Sequence, residues 1–174
     1  MSIFSVSRSI RSSRRAWLLA AGVGIAALAW AQIGLAQSGG PFGTFAGGWR
    51  GSGLVVGADG NHERITCRAR YLISESGRAL SESLVCASDS YRVDVDSYVI
   101  ADGHSVEGHW QETTRQVQGN FTGQIVDGDL EGGVVGPGFT AEISLRATGR
   151  RQIMSIKPQG GDVNHVTVVL SPEN

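Results

Sequence analysis

Lysine is almost missing from this chain: of 15 Lys+Arg residues, Lys157 alone is a lysine. Proline is sparse, with four in 174 residues, so no proline-rich linker divides the sequence. The two cysteines form no C-x-x-C pair, and His62, His104, His109 and His165 share no ligand spacing. A zinc site is therefore not expected, nor any other metal. No G-x-S-x-G, H-E-x-x-H, P-loop or dinucleotide fingerprint occurs, and nothing positions Ser, His and Asp as a triad. No cofactor, no catalytic residue and no enzymatic activity are expected.

Four of the cationic residues, Arg8, Arg11, Arg14 and Arg15, crowd the first 36 positions, which hold no acidic residue. From Ala16 to Ala31 the chain is apolar and uncharged, and small residues follow at Ala29 and Ala31 or Gly34 and Ala36. This is the layout of a signal peptide with its cleavage site. The apolar run of 16 residues falls short of the roughly 20 that span a bilayer as a helix, which disfavours the alternative of an uncleaved anchor. Ser13-Arg14-Arg15-Ala16-Trp17-Leu18-Leu19 resembles the twin-arginine export motif, with Trp17 where Phe is usual and no closing lysine. The general secretory route stays equally open. A periplasmic or secreted protein is expected, not integral to the membrane once the leader is removed. The remainder is modestly acidic along its length, which argues against nucleic acid and anionic membrane surfaces as partners. Residues 1–36 read as the leader, 37–46 as a flexible lead-in and 47–171 as one domain, long enough to bury a core.

What the domain does have is turns. Asp59-Gly60, Asp102-Gly103 and Asp127-Gly128 each sit between stretches of alternating apolar and polar residues, the strongest short-range sign of a hairpin. Mirroring the chain about successive turns sets Val99 against Val106, Val95 against Trp110 and Val106 against Phe121. It also sets Ile125 against Leu130, Gly123 against Gly132, Val134 against Phe139 and Leu130 against Ile143. Side chains alternate with period two, so all of these share one face. The opposite face is polar, through Gln116, Gln118, Asn120, Thr122 and Gln124. One dry face, no helix to cover it and short connections predict an all-β antiparallel up-and-down meander of 8–10 strands closing into a small barrel. A two-sheet β-sandwich is the alternative, disfavoured because it would need longer crossing connections.

Cys67 and Cys86 fall symmetrically about Glu75-Ser76-Gly77-Arg78 and so face each other across a hairpin. In an oxidising compartment this predicts a disulfide. Polar residues in the inward register are the candidates for function. Glu82 falls opposite Tyr71, Tyr91 is placed opposite Cys86, and Glu112 follows Trp110 with Arg115 across the turn. Tyr71, Glu82, Tyr91, Trp110 and Glu112 could line a small ligand cavity; equally, they could form hydrogen bonds and a rim salt bridge in a filled core. Asp94 and Asp96 offer too few oxygens for calcium and read as a solvated strand face.

Gly48-Trp49 near the first strand resembles the opening region of calycin-type barrels. Arg64-Ile65-Thr66-Cys67-Arg68-Ala69, Cys86-Ala87-Ser88-Asp89-Ser90-Tyr91 and Gly136-Pro137-Gly138-Phe139 are similar to uncharacterised exported proteins of alphaproteobacteria. That resemblance implies the architecture and an exported location, and brings no activity or ligand with it. Two expectations remain: a barrel binding a small apolar or amphipathic molecule, or an envelope or inhibitor-type protein whose loops meet a protein partner.

Overall fold

Strict alternation in ten successive stretches, each ended by glycine or another turn residue, produces ten strands and almost nothing else. The computed structural model describes residues 39–173; the expected leader lies outside them. The strands are β1 (Gly47–Gly57), β2 (His62–Ile73), β3 (Ala79–Ala87), β4 (Arg92–Asp102), β5 (Ser105–Glu112), β6 (Val117–Val126), β7 (Asp129–Gly136), β8 (Phe139–Thr148), β9 (Arg151–Pro158) and β10 (Val163–Pro172). Each pairs antiparallel with its neighbours in the chain, and β1 closes on β10, giving a complete barrel with no free edge. The closing register runs from Trp49 opposite Pro172 to Gly57 opposite Val163, with one irregularity between Val56 and Gly57.

Two hairpins have the register expected of them: Cys67 opposes Cys86, and Ile125 opposes Leu130 about a turn of Asp127 and Gly128, both at positive φ. Three others are displaced by two residues. At β4–β5 the turn residues are Gly103 and His104, so Val99 meets Gly108, Val95 meets Glu112 and Ala101 meets Val106. Asp102 stays in the strand, opposite Ser105, and only Gly103 of the Asp-Gly pair takes a left-handed φ of 61°. At β5–β6 the loop is four residues, closed by Gln116 at φ 56°; Glu112 meets Val117, Trp110 meets Gly119 and Val106 meets Gly123. At β7–β8 the turn is Pro137-Gly138, the order that fixes φ at proline and supplies positive φ at glycine. Val134 therefore meets Ala141, and Leu130 meets Leu145. A shift of two preserves the facing of every side chain, so the expected inward set survives.

Inward residues such as Ile65, Tyr71, Leu80, Val99, Val106, Phe121, Ile125, Leu145 and Leu170 form the core, while Gln118, Asn120, Thr122 and Gln124 face out. Among the described residues no helix is long and apolar enough to cross a membrane.

The stretch read as a flexible lead-in is a correction. From Phe42 it forms a 3₁₀ turn over Gly43–Phe45, and both Phe42 and Phe45 are fully buried. Their rings lie 6.4 Å apart, and Phe45 packs on Tyr71 at 6.2 Å. The Phe42 N–H donates to Gly77 O (3.2 Å) and the Trp49 indole N–H to Phe45 O (2.8 Å). The turn thus plugs the end of the barrel that carries the β2–β3, β4–β5, β6–β7 and β8–β9 connections. Two phenylalanines in a glycine-rich stretch gave no periodicity, yet burying them supplies about 1.5–3 kcal/mol each.

Candidate functional site

A row of inward side chains runs across neighbouring strands of the barrel wall, from Tyr71 beside the plug to Trp110 near the opposite rim. Tyr71 on β2 is paired with Glu82 on β3, Glu82 with Ser97 on β4, Ser97 with Trp110 on β5, and Trp110 with Gly119 on β6. Four polar-capable groups in adjacent strands thus face one lumen. The Ser97 hydroxyl donates to Glu82 Oε2 at 2.9 Å. The Trp110 indole N–H has no hydrogen-bond partner, although Trp110 is only 8% exposed; the Tyr71 hydroxyl, on a residue 1% exposed, lies beside the Glu82 carboxyl. Unpaired buried donors cost on the order of 1–3 kcal/mol each and call for an explanation.

Glycines let the aromatic rings lie flat against the wall. A Cβ on Gly136 would stand 2.9 Å from Trp110 Cζ2, and one on Gly132 would stand 2.7 Å from Phe121 Cζ. The Trp110 indole also meets Phe139 edge-on at 5.8 Å. Phe139, expected opposite Val134 on the inward face, sits at the rim, 37% exposed and in contact with that indole.

Glu82, Ser97, Val95, Val117, Ile156 and Val166 all face inward, yet each keeps some accessible surface. Burial pushes the Glu82 carboxyl above the usual carboxylate range; hydrogen bonds from Ser97 and Tyr71 pull the other way, and the charge of Asp96 adds to the rise. Burial also pushes the Tyr71 phenol well above its usual range, and the neighbouring Glu82 charge reinforces this. No arginine or lysine among the described residues faces the lumen; all of them are exposed. Glu82 is therefore an enclosed acid with a hydroxyl partner and no counter-ion.

Two of the expected site residues do not join this row. Glu112 faces inward and is 7% exposed, but its carboxylate is consumed by the β5–β6 turn. It accepts from the backbone N–H of Asp94 (3.2 Å), Thr114 (3.2 Å) and Arg115 (2.6 Å) and from the Thr114 hydroxyl. Burial alone would raise its pKa; these bonds outweigh it and hold the group at about 2. Tyr91 lies in the β3–β4 turn, because Val93 rather than Tyr91 opposes Cys86. With Asp59, His62, Glu63 and Asp162 it lines a pocket of about 490 Å³ at the end opposite the plug. Asp94, considered for calcium, pairs instead with Arg92 at 2.8 Å.

Sequence reading missed Ser97 and Gln152. Ser97 was legible, since it stands between Val95 and Val99 in the inward register. Gln152 is fully buried with both amide atoms unpartnered; its facing depends on the β9 register, which no flanking Asp-Gly turn announces. Cys67 and Cys86 are joined by a disulfide, with Cα atoms 4.1 Å apart.

No protein-family model matches the chain. No curated protein matches its sequence either. Solved structures do match in shape. Rv2717c from M. tuberculosis superposes with a TM-score of 0.60 at 11% identity, over 75% of this chain and 94% of that one. The S-type phycobiliprotein lyase CPES from Guillardia theta gives 0.54 at 12% identity, over 76% and 90%. The likeness is one of fold.

Proposed function

We propose that this protein is an exported, non-enzymatic carrier whose lumen holds a small molecule with an apolar body and a polar head. The observation that carries this reading is the Glu82–Ser97 hydrogen bond on the inward face, where both residues keep some accessible surface, in one row with a buried Trp110 Nε1 that has no hydrogen-bond partner. A ligand head that accepts from Trp110 and bonds to Glu82 removes the cost of leaving the indole unpaired. The phenylalanine plug closes one end, so the molecule enters from the end bearing Tyr91. The basic, apolar and small-residue sequence of residues 1–36 supports export, as do the disulfide and the resemblance to exported alphaproteobacterial proteins.

Native mass spectrometry of the protein recovered from its own export compartment tests this directly. A reproducible extra mass that departs on denaturation, and that is lost in Trp110→Phe with Tyr71→Phe, is expected. A bare mass would end the carrier reading and move function to the loops and a protein partner.

A further inference from the structure

The charge inside the lumen narrows the chemistry of its occupant. Glu82 lies between the buried Leu80 and Leu84 on the inward face of β3, so its remaining accessible surface opens into the barrel rather than to bulk water. One carboxylate oxygen accepts from Ser97. The neighbouring groups on the packed strands are Tyr71 on β2, Ser97 on β4 and Trp110 on β5, together with Asp96 on the outer side of β4. None can supply a positive charge. The arginines of the adjoining strands, Arg64, Arg68, Arg70 and Arg92, all stand on the outer wall or at its rim, exposed. Glu112, which also faces inward, is already saturated by backbone and hydroxyl donors and competes for nothing. A carboxylate enclosed without a cation is held at a cost, and that cost is recovered when a cation arrives.

We propose that the lumen selects an organic ammonium ion with an apolar body, its nitrogen at Glu82 and Ser97 and its body against Trp110, Phe121 and the inward valines. The proposal rests on the carrier reading and adds the ligand's charge to it. An ammonium donates up to three hydrogen bonds, which suits the free oxygen of Glu82, the lone pairs of Ser97 Oγ and the Tyr71 hydroxyl. The indole beside the row offers a ring face to the same cation. An anionic ligand would face Glu82 with no arginine to balance it, and a neutral one would leave the acid uncompensated.

Three probes of equal size separate the outcomes: hexylamine, 1-hexanol and hexanoate, each titrated into the unliganded mature protein by calorimetry at pH 7.5. Hexylamine is expected to bind at least tenfold more tightly than 1-hexanol, and hexanoate weakest. Glu82→Gln, matched to wild type in circular dichroism, is expected to abolish the preference for the amine over the alcohol. Repeating the amine titration from pH 5 to 8.5 is expected to show affinity that rises with pH in wild type and stays level in the variant, which a purely structural role for Glu82 would not produce. Equal affinity for amine and alcohol, or an amine affinity unchanged in Glu82→Gln, overturns the charge assignment while leaving the carrier reading intact. Binding of none of the three probes, together with a bare mass on recovery from the export compartment, overturns both.

Discussion

Glu82 and Glu112 both face inward, and their surroundings push them in opposite directions. Glu112 is held at about 2, well below its unfolded value, so it contributes stability above pH 4.5 that is lost as pH falls toward 2. Glu82 is raised, so it is the folded acid form that is favoured, and the group weakens the fold as pH rises through its elevated pKa. Opposite outcomes follow for the same substitution. Glu112→Gln is expected to cost about 1–3 kcal/mol at pH 7, because an amide cannot accept from three backbone N–H groups and a hydroxyl as a carboxylate does. Glu82→Gln is expected to stabilise the unliganded protein at pH 8, with the gain vanishing below pH 4. Urea midpoints of both variants from pH 3 to 8 check the pair. Parallel curves would mean that the two carboxylates do not differ in role.

At the scale of elements, the 3₁₀ turn before β1 does work that its sequence did not announce. Phe42 and Phe45 are the only large side chains between Gly39 and Gly48, and both disappear into the barrel end. Phe45→Ala is expected to cost about 3–5 kcal/mol and to expose Tyr71 and Trp49, which a denaturant midpoint and a red-shifted tryptophan emission would record. A loss below 1 kcal/mol would show that the plug is dispensable. The strands were legible because period-two alternation and Asp-Gly turns are local signals, and facing survives a slip of two residues. Register was less legible. At β4–β5 the Asp-Gly pair marks the turn's edge rather than its centre, and at β5–β6 a four-residue loop closed by Gln116 carries no glycine at all. Those slips moved Trp110 from Val95 to Ser97, hiding the serine that completes the row. The Tyr71–Glu82 pairing was legible for the opposite reason: the cysteines fix that hairpin's centre. The plug had no such signal, since its burial depends on barrel closure and not on its own pattern.

Closure itself sets the behaviour of the whole molecule. With β1 paired to both β2 and β10, no strand can leave without breaking two ladders, so the barrel is expected to unfold as one unit. The disulfide acts on that unit from the unfolded side. It joins β2 to β3 across a sequence separation of 19 residues, and both cysteines lie in the core, at 2% and 7% exposure. In the chain-entropy view, closing a loop of that length stabilises by roughly 3 kcal/mol through the unfolded ensemble. Replacing both cysteines by serine would add two hydroxyls to a dry interior and confuse the reading, so Cys67→Ala with Cys86→Ala is the cleaner variant. It is expected to lower Tm by about 10 °C while preserving a single transition and the same far-ultraviolet spectrum. Protease resistance of the native barrel below Tm should persist, because ten ladders still hold the circle closed. Two separate transitions would instead show that the β2–β3 hairpin is kept in the barrel by its sulfurs. In that case the wall carrying Tyr71 and Glu82 would open when reduced, and the lumen's polar row would depend on an oxidising compartment for its existence.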